Sequence, residues 1–330
     1  MQLARTASLS CKLLGSFTVP PGAAMFSAQR NTALCTPPPL GEEPIVRPVP
    51  RTLLPASSPL PPSSITSAQL LQSFPPLSLA TLQLLRSFAD EPSISDVCDI
   101  VEQDPALAGQ VLSRANAARF GHLAPVVDIR RAVSRLGSDE VRRIAIGVGF
   151  RQALRLSRGG ELFDLVWKRS IATAVTAQSL ANCLEPPESG AAYVSGLLSL
   201  TGVIGLVSVD PDAYRDVLSR ASRPGFNQAA EETAKFGCSH VQAAAWVLDE
   251  WRLPPVISDA ILDSWRTPPS SDLGCAVAAA SEIAGCYGHA VFSIPAKPSP
   301  SDVLQAFEVS DLAVCLPDAT AVGDAIHAFE

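Results

Sequence analysis

Positive charge is in short supply in this chain. Its 25 lysines and arginines stand against 32 acids, a formal net charge of −7 over 330 residues. Affinity for nucleic acid comes mostly from cations placed on phosphates, so a general nucleic-acid binder is excluded and any basic patch has to be local. The eight cysteines include no Cys-x-x-Cys pair, and none has a histidine at zinc-site spacing. They are expected to be mostly buried thiols in a reducing compartment, because a free cysteine behaves as a small apolar side chain. Glycine never occurs in the strand, loop and helix context of a phosphate cradle, and no nucleophile elbow or ordered Ser/His/Asp set is present. A continuous apolar leader is missing too: MQLARTASLSCKLLGSFTV interrupts its apolar residues with Ser, Thr and Lys12, and Ser8 stands where a lipobox needs an apolar side chain. The expected location is therefore cytoplasmic. Met25 is the only other methionine, so both Met1 and Met25 are candidate starts.

What is abundant is apolar content, 47% of residues, enough to bury a core. Proline is abundant in one place. Twelve of the 29 prolines fall between Pro20 and Pro62, where fixed φ and missing N–H groups oppose helices and sheet ladders. Residues 1–66 are expected to be a disordered arm, a linker in preference to a docking ligand for a proline-binding module.

From Ser78 onward apolar residues recur at three- and four-residue spacing. Ser78 reads as a helix cap, Ser93 and Asp96 as a capping box, and Asp104 with Pro105 as a helix start. Gly137 reads as a helix end, with a new helix from Ser138. Further helices are expected at 161–184, 190–208, 211–222, 227–236, 239–252, 255–265, 272–287, 301–308 and 318–329. With no alternating strand pattern, the class is all-α. The helical part divides into a main unit, 67–267, and a C-terminal helical extension, 268–330, expected to pack on it.

Charge is absent altogether from Ser189 to Val209. Twenty-one residues are long enough to cross a bilayer. Four glycines, four serines and Thr201 dilute the apolarity, however, and no Lys or Arg flanks the segment. A fully buried central helix is the preferred reading over a membrane span.

In order and spacing, DPALAGQVLSRANAARFG, DIRRAVSRLGSDEVRRIAI, WKRSIATAVTAQSLA, SGLLSLTGVIGL and FGCSHVQAAAWVLDEWRLPPVISDAI resemble the HDOD family, the HD-related output domain of bacterial signalling proteins. The resemblance covers about Gln69 to Trp265. It implies a helical bundle related to HD phosphohydrolases and used for regulation or protein interaction. An HD hydrolase needs several His and Asp ligands around a metal. In this chain the expected positions hold Arg169, then Ser199 and Leu200, then Ser239 beside His240, then Ser264 and Trp265, with Asp263 adjacent. His240 survives without an acidic neighbour in sequence and reads as a structural histidine at a helix start. His122, His289 and His327 fall outside the set. No catalytic residue, metal or cofactor is expected. Arg114 and Asn116 match a family-typical position and read as structural, the asparagine through backbone hydrogen bonds.

Between Asp128 and Arg158 eight arginines face three acids. Arg142, Arg143, Arg151, Arg155 and Arg158 form the candidate interaction patch, the last three on one helical face. The leading reading is a non-catalytic HDOD-type regulator acting on other signalling proteins supplied in trans. The alternatives are a metal-dependent phosphohydrolase of nucleotides or cyclic dinucleotides built on His240 and Asp263, and nucleic-acid binding through the arginine stripe.

Overall fold

Local capping chemistry sets most helix starts in the computed structural model, which describes residues 64–329 apart from 89–91, 117–124, 158, 185–187, 224–225 and 292–297. Residues 1–63, nearly all of the proline-rich arm, lie outside the described residues. Ser78 accepts from the Thr81 amide at the head of α2 (Leu79–Arg86). Ser93 and Asp96 form a reciprocal box on α3 (Ile94–Glu102). Asp104 accepts from two amides of α4 (Pro105–Ala115), whose first residue is proline. Each cap satisfies amides that a helix start leaves without carbonyl partners. Gly137, at φ 89°, closes α5 (Ile129–Leu136), and α6 (Ser138–Arg155) follows directly with Asp139 and Glu140 in its first turn. One helix precedes the expected start at Ser78. It is α1 (Ser67–Ser73), opened by a Thr66–Gln69 box and anchored by the fully buried Leu70.

The centre is built from α7 (Glu161–Ala181), α8 (Ser189–Leu198) and α9 (Thr201–Val209). The single helix expected over 190–208 is corrected: it breaks at Ser199 and Leu200. There the Ser199 hydroxyl donates to the Gly196 carbonyl at 2.8 Å, and the Thr201 hydroxyl donates to the Leu198 carbonyl. Local acceptors of this kind compete with the regular ladder. The break lets α8 pack on α7 while α9 turns toward a different neighbour. Both contacts are close ones. A β-carbon on Gly196 would lie 2.8 Å from the Ala174 Cα, and one on Gly202 would collide with the His240 carbonyl. The segment Ser189–Val209 is 89% buried over its most apolar stretch, which makes it the middle of a helical core.

Around it run α10 (Pro211–Ser219), α11 (Gln228–Phe236), α12 (His240–Trp251), α13 (Pro255–Ser264), α14 (Asp272–Cys286), α15 (Pro300–Ala306), a 3-10 helix (Ser310–Cys315) and α16 (Ala319–His327). No strand occurs among the described residues, and the fold is all-α. One apolar cluster joins Leu70, Phe150, Trp167, Ile204, Tyr214 and Val247. A second lies between the end of α7, α14 and α15, through Ala177, Leu180, Val277, Ile283 and Leu304. The chain then returns to α7, where the Phe329 ring meets Trp167 edge-on at 5.7 Å between centroids.

The expected set of mostly buried thiols is corrected. Cys98 and Cys238 are buried, while Cys275 and Cys286 are partly exposed. Exposed Cys183, just after α7, pairs in a disulfide with Cys315 at the end of the 3-10 helix. The two are 132 residues apart, and both stand at element ends, outside the core positions that a thiol would fill as an apolar group. Cys11 and Cys35 lie outside the described residues.

Candidate functional site

His240 is placed by three consecutive local devices. Helix α11 ends on Gly237 in the left-handed region at φ 79°, Ser239 caps the next helix by accepting from Gln242, and His240 is the first residue of α12. The turn folds α12 back beside α11, so that Glu232 of α11 reaches the imidazole. One carboxylate oxygen lies 2.6 Å from His240 Nδ1 and accepts the His240 backbone N–H at 2.7 Å. The other accepts the Tyr214 hydroxyl at 2.8 Å and Gln228 Nε2 at 2.9 Å. Glu232 is 0% exposed and His240 5%. A fully buried carboxylate persists only when its oxygens are paired, and here four donors pair them.

The indole of Trp265 packs against the imidazole, 4.3 Å between ring centroids. His240 Nε2 and Trp265 Nε1 have no hydrogen-bond partner among the described residues. Burial, followed by the Glu232 charge and its hydrogen bond, pushes the Tyr214 phenol well above its ordinary range. Burial, again followed by Glu232, pushes the Cys238 thiol up to about 11. Cys238 therefore stays protonated and unreactive near neutral pH.

The sequence leaves His240 without an acidic neighbour; in space Glu232 supplies one, eight residues upstream. Glu232 is the functional-type residue that sequence reasoning missed. Its signal was a position on the stripe formed with Ala229 and Phe236, at three- and four-residue spacing, which points inward.

The remaining HD positions are committed to other tasks. Asp263 accepts from the amides and hydroxyls of both Ser270 and Ser271, the hydroxyl bonds at 2.6 and 2.8 Å. Burial works against its charge, but those four donors win and hold its pKa below the ordinary value. Asp263 thereby fastens the turn that starts α14. Ser264 Oγ donates to the Ile261 carbonyl. Arg169 is 8% exposed and donates from Nη2 to Ser281 Oγ of α14 at 3.1 Å; burial lowers its pKa, with Glu282 acting the other way. Ser199 and Leu200 make the helix break, and Ser239 makes the cap.

The fold brings His240 and Trp265 into contact and packs α9 on the His240 backbone. Asp263 and Arg169 face different stretches of α14. A divalent ion of the HD type needs convergent carboxylate and imidazole donors. This donor set does not fit one: a guanidinium and a leucine stand where the HD resemblance expects ligands, Asp263 is filled by serine donors, and the open His240 Nε2 belongs to no group of three or more such donors among the described residues. Among the described residues no group of three or more His, Cys, Asp or Glu is arranged to hold a metal.

The arginine patch is corrected in its exposure. Arg142 is 9% exposed, paired with Asp139 and stacked 4.4 Å over the Phe88 ring. Arg143 pairs with Glu140 at 2.6 Å. Arg151 reaches across to Asp164 of α7 at 2.8 Å and lies over Trp167 at 5.4 Å. Asp139 and Glu140 meet Arg142 and Arg143 from one turn back on α6, Asp164 meets Arg151 from α7, and the planes of Arg142 and Arg151 cover aromatic rings. Arg155 is exposed, and Arg158 lies outside the described residues. Asn116 has the structural role expected of it, bonding the Leu112 carbonyl and both backbone groups of Val126.

Residues 71–267 match the HDOD domain family. An uncharacterised protein of Treponema pallidum (strain Nichols) is 28% identical over 167 residues, which is 50% of this chain and 32% of that one. The chain thus spans about a third of that relative's length. Among solved structures, a protein of Marinobacter aquaeolei VT8 provisionally named for signal transduction superposes with a TM-score of 0.61 at 23% identity, over 78% of this chain and 60% of that chain. An HDOD domain protein of unknown function from Geobacter sulfurreducens gives 0.59 at 20% identity, covering 79% and 92%. A provisionally named phosphohydrolase of Shewanella amazonensis SB2B gives 0.55 at 23%, covering 79% and 93%. These likenesses carry the fold, and the family match carries more than half of the sequence onto it. The chain belongs to the HDOD family.

Proposed function

We propose that this protein is a non-catalytic regulator that acts by binding another signalling protein, supplied in trans. The observation that carries the reading is the state of the HD positions. Each has been turned into a packing or capping device: Arg169 on Ser281, Asp263 on Ser270 and Ser271, and His240 on Glu232. Chemistry on a phosphate needs several donors that converge on the ion and the attacking water; here Arg169 and Asp263 are engaged elsewhere, which leaves His240 Nε2 as a lone open donor atom. The signal-transduction name of the Marinobacter protein points the same way, and the phosphohydrolase name of the Shewanella protein defines the alternative to be tested.

The test is metal analysis of the purified chain together with phosphatase and phosphodiesterase assays in manganese. The expected result is no stoichiometric metal and no turnover above that of His240→Ala. Stoichiometric metal, with turnover lost in His240→Ala, would overturn the proposal. A pull-down from the native cell, with residues 1–63 present and deleted, then identifies the partner.

A further inference from the structure

We infer that Cys183 and Cys315 form a reversible thiol–disulfide pair whose oxidation state sets how firmly the C-terminal segment, residues 298–329, is held against α7. The pair joins the turn after α7 to the end of the 3-10 helix and closes a loop of 132 residues. Cys183 is exposed and Cys315 half-buried, so a small dithiol can reach the bond. Accessible disulfides of this kind are the labile and regulatory ones.

The segment it fastens depends on outside anchors. α15, the 3-10 helix and α16 contain seven, six and nine residues, and isolated helices shorter than about 12 residues are marginal in water. Besides the disulfide, Val303, Leu304, Val309 and Leu312 seat the first half of the segment in the second apolar cluster, and the following contacts hold the half beyond Cys315. Tyr287 donates to the Pro317 carbonyl at 2.7 Å, and Arg114 donates to the Ala328 carbonyl at 2.7 Å while its guanidinium lies over Phe329. Phe329 meets Trp167 and fills space that exists because residue 147 is glycine; a β-carbon there would come within 2.7 Å of the ring. Val322 and Ile326 are buried beneath α16. Loosening the segment therefore uncovers an apolar face around Trp167 and Gly147.

The step is thiol–disulfide exchange with a dithiol reductant. A reductant thiolate attacks one cysteine sulfur, the protein S–S bond breaks as a mixed disulfide forms, and the second reductant thiol resolves it. Two electrons and two protons pass to the protein, leaving two cysteine thiols and a cyclic oxidised reductant.

The experiment uses the full chain in buffers of oxidised and reduced dithiothreitol at several ratios. Mass spectrometry reads the cross-linked peptides, and hydrogen exchange reads residues 298–329. In oxidised wild type a Cys183–Cys315 peptide is expected, with amide exchange in α16 slowed about tenfold or more relative to the reduced protein. Cys183→Ser is expected to exchange at the reduced rate in every buffer. Should the serine variant fail to fold, oxidised and reduced wild type supply the same comparison without a substitution. Free Cys183 and Cys315 under all conditions, pairing of either with another cysteine, or equal exchange in both states would each overturn the inference.

Discussion

Glu232 has no exposed surface, yet it accepts from four donors on three parts of the chain: Tyr214, Gln228, and the side chain and backbone of His240. Removing one partner of a buried charged network leaves the others desolvated and unpaired. Glu232→Ala is expected to cost about 3 kcal/mol, measured by urea unfolding, and Glu232→Gln less, since an amide retains one acceptor. A loss below about 0.5 kcal/mol for the alanine variant would show that water or a rearranged Gln228 replaces the carboxylate. Asp263 yields a pH prediction. Its hydrogen bonds from Ser270 and Ser271 hold its pKa below the ordinary 3.8, so the folded state binds this proton less readily than the unfolded state does. The stabilisation it provides is full above that value and is lost as pH falls through the lower folded value. In acid unfolding titrations, Asp263→Asn should be less stable than wild type at pH 7, and the gap should narrow below about pH 4. At this scale the sequence was legible where a role is local: Ser78, Ser93, Asp104 and Asn116 bond within ten residues of themselves. Glu232 and Arg151 were misjudged because their partners are set by how helices meet, and Arg142, paired with Asp139 on its own helix, because Phe88 from beyond α2 covers it. Charge alone does not tell a solvated residue from one buried against Tyr214, Phe88 or Trp167.

Periodicity found nearly every helix, because each has an apolar face and a cap that act within a few residues. It did not find the break at Ser199, since that break follows from where two halves of one apolar run must pack. α8 lies on α7 through Gly196 and α9 lies on α12 through Gly202, two directions that a single straight helix cannot serve. The glycines are therefore unequal. Gly202→Ala is expected to cost about 3 kcal/mol, because the added methyl meets the His240 carbonyl and two packed backbones have to separate. Gly109, exposed in the middle of α4, has nothing within 4 Å of where its β-carbon would be. Gly109→Ala should instead stabilise by about 0.5–1 kcal/mol through helix propensity. Thermal unfolding of the two variants side by side checks the contrast. Equal effects would mean that α9 and α12 have slack which the described contacts do not show.

On the scale of the whole molecule, the family match ends at residue 267, but the packing continues past it. α14 supplies Leu273, Ala276, Val277, Ala280 and Ile283 to the cluster that covers Ala177, Leu180 and Ala181 of α7. The turn before α14 supplies every hydrogen bond that holds Asp263, apart from its long contact to Arg266. α16 and Phe329 then cover Trp167. Burying a large aliphatic side chain contributes about 2 kcal/mol. Val277, Ile283, Leu304, Val322 and Ile326 with the surface beneath them therefore account for on the order of 10 kcal/mol, comparable to the total stability of a typical domain. A chain cut after residue 267 is accordingly expected to lose cooperative unfolding and to associate through the bared faces of α7 and α8, whereas the full chain unfolds in a single transition. Size-exclusion chromatography and circular dichroism on the two chains read this directly. A truncated chain that stays monomeric, with its helix content and unfolding midpoint unchanged, would mean that the core of 67–267 closes without α14 and that the second apolar cluster is an accessory to it.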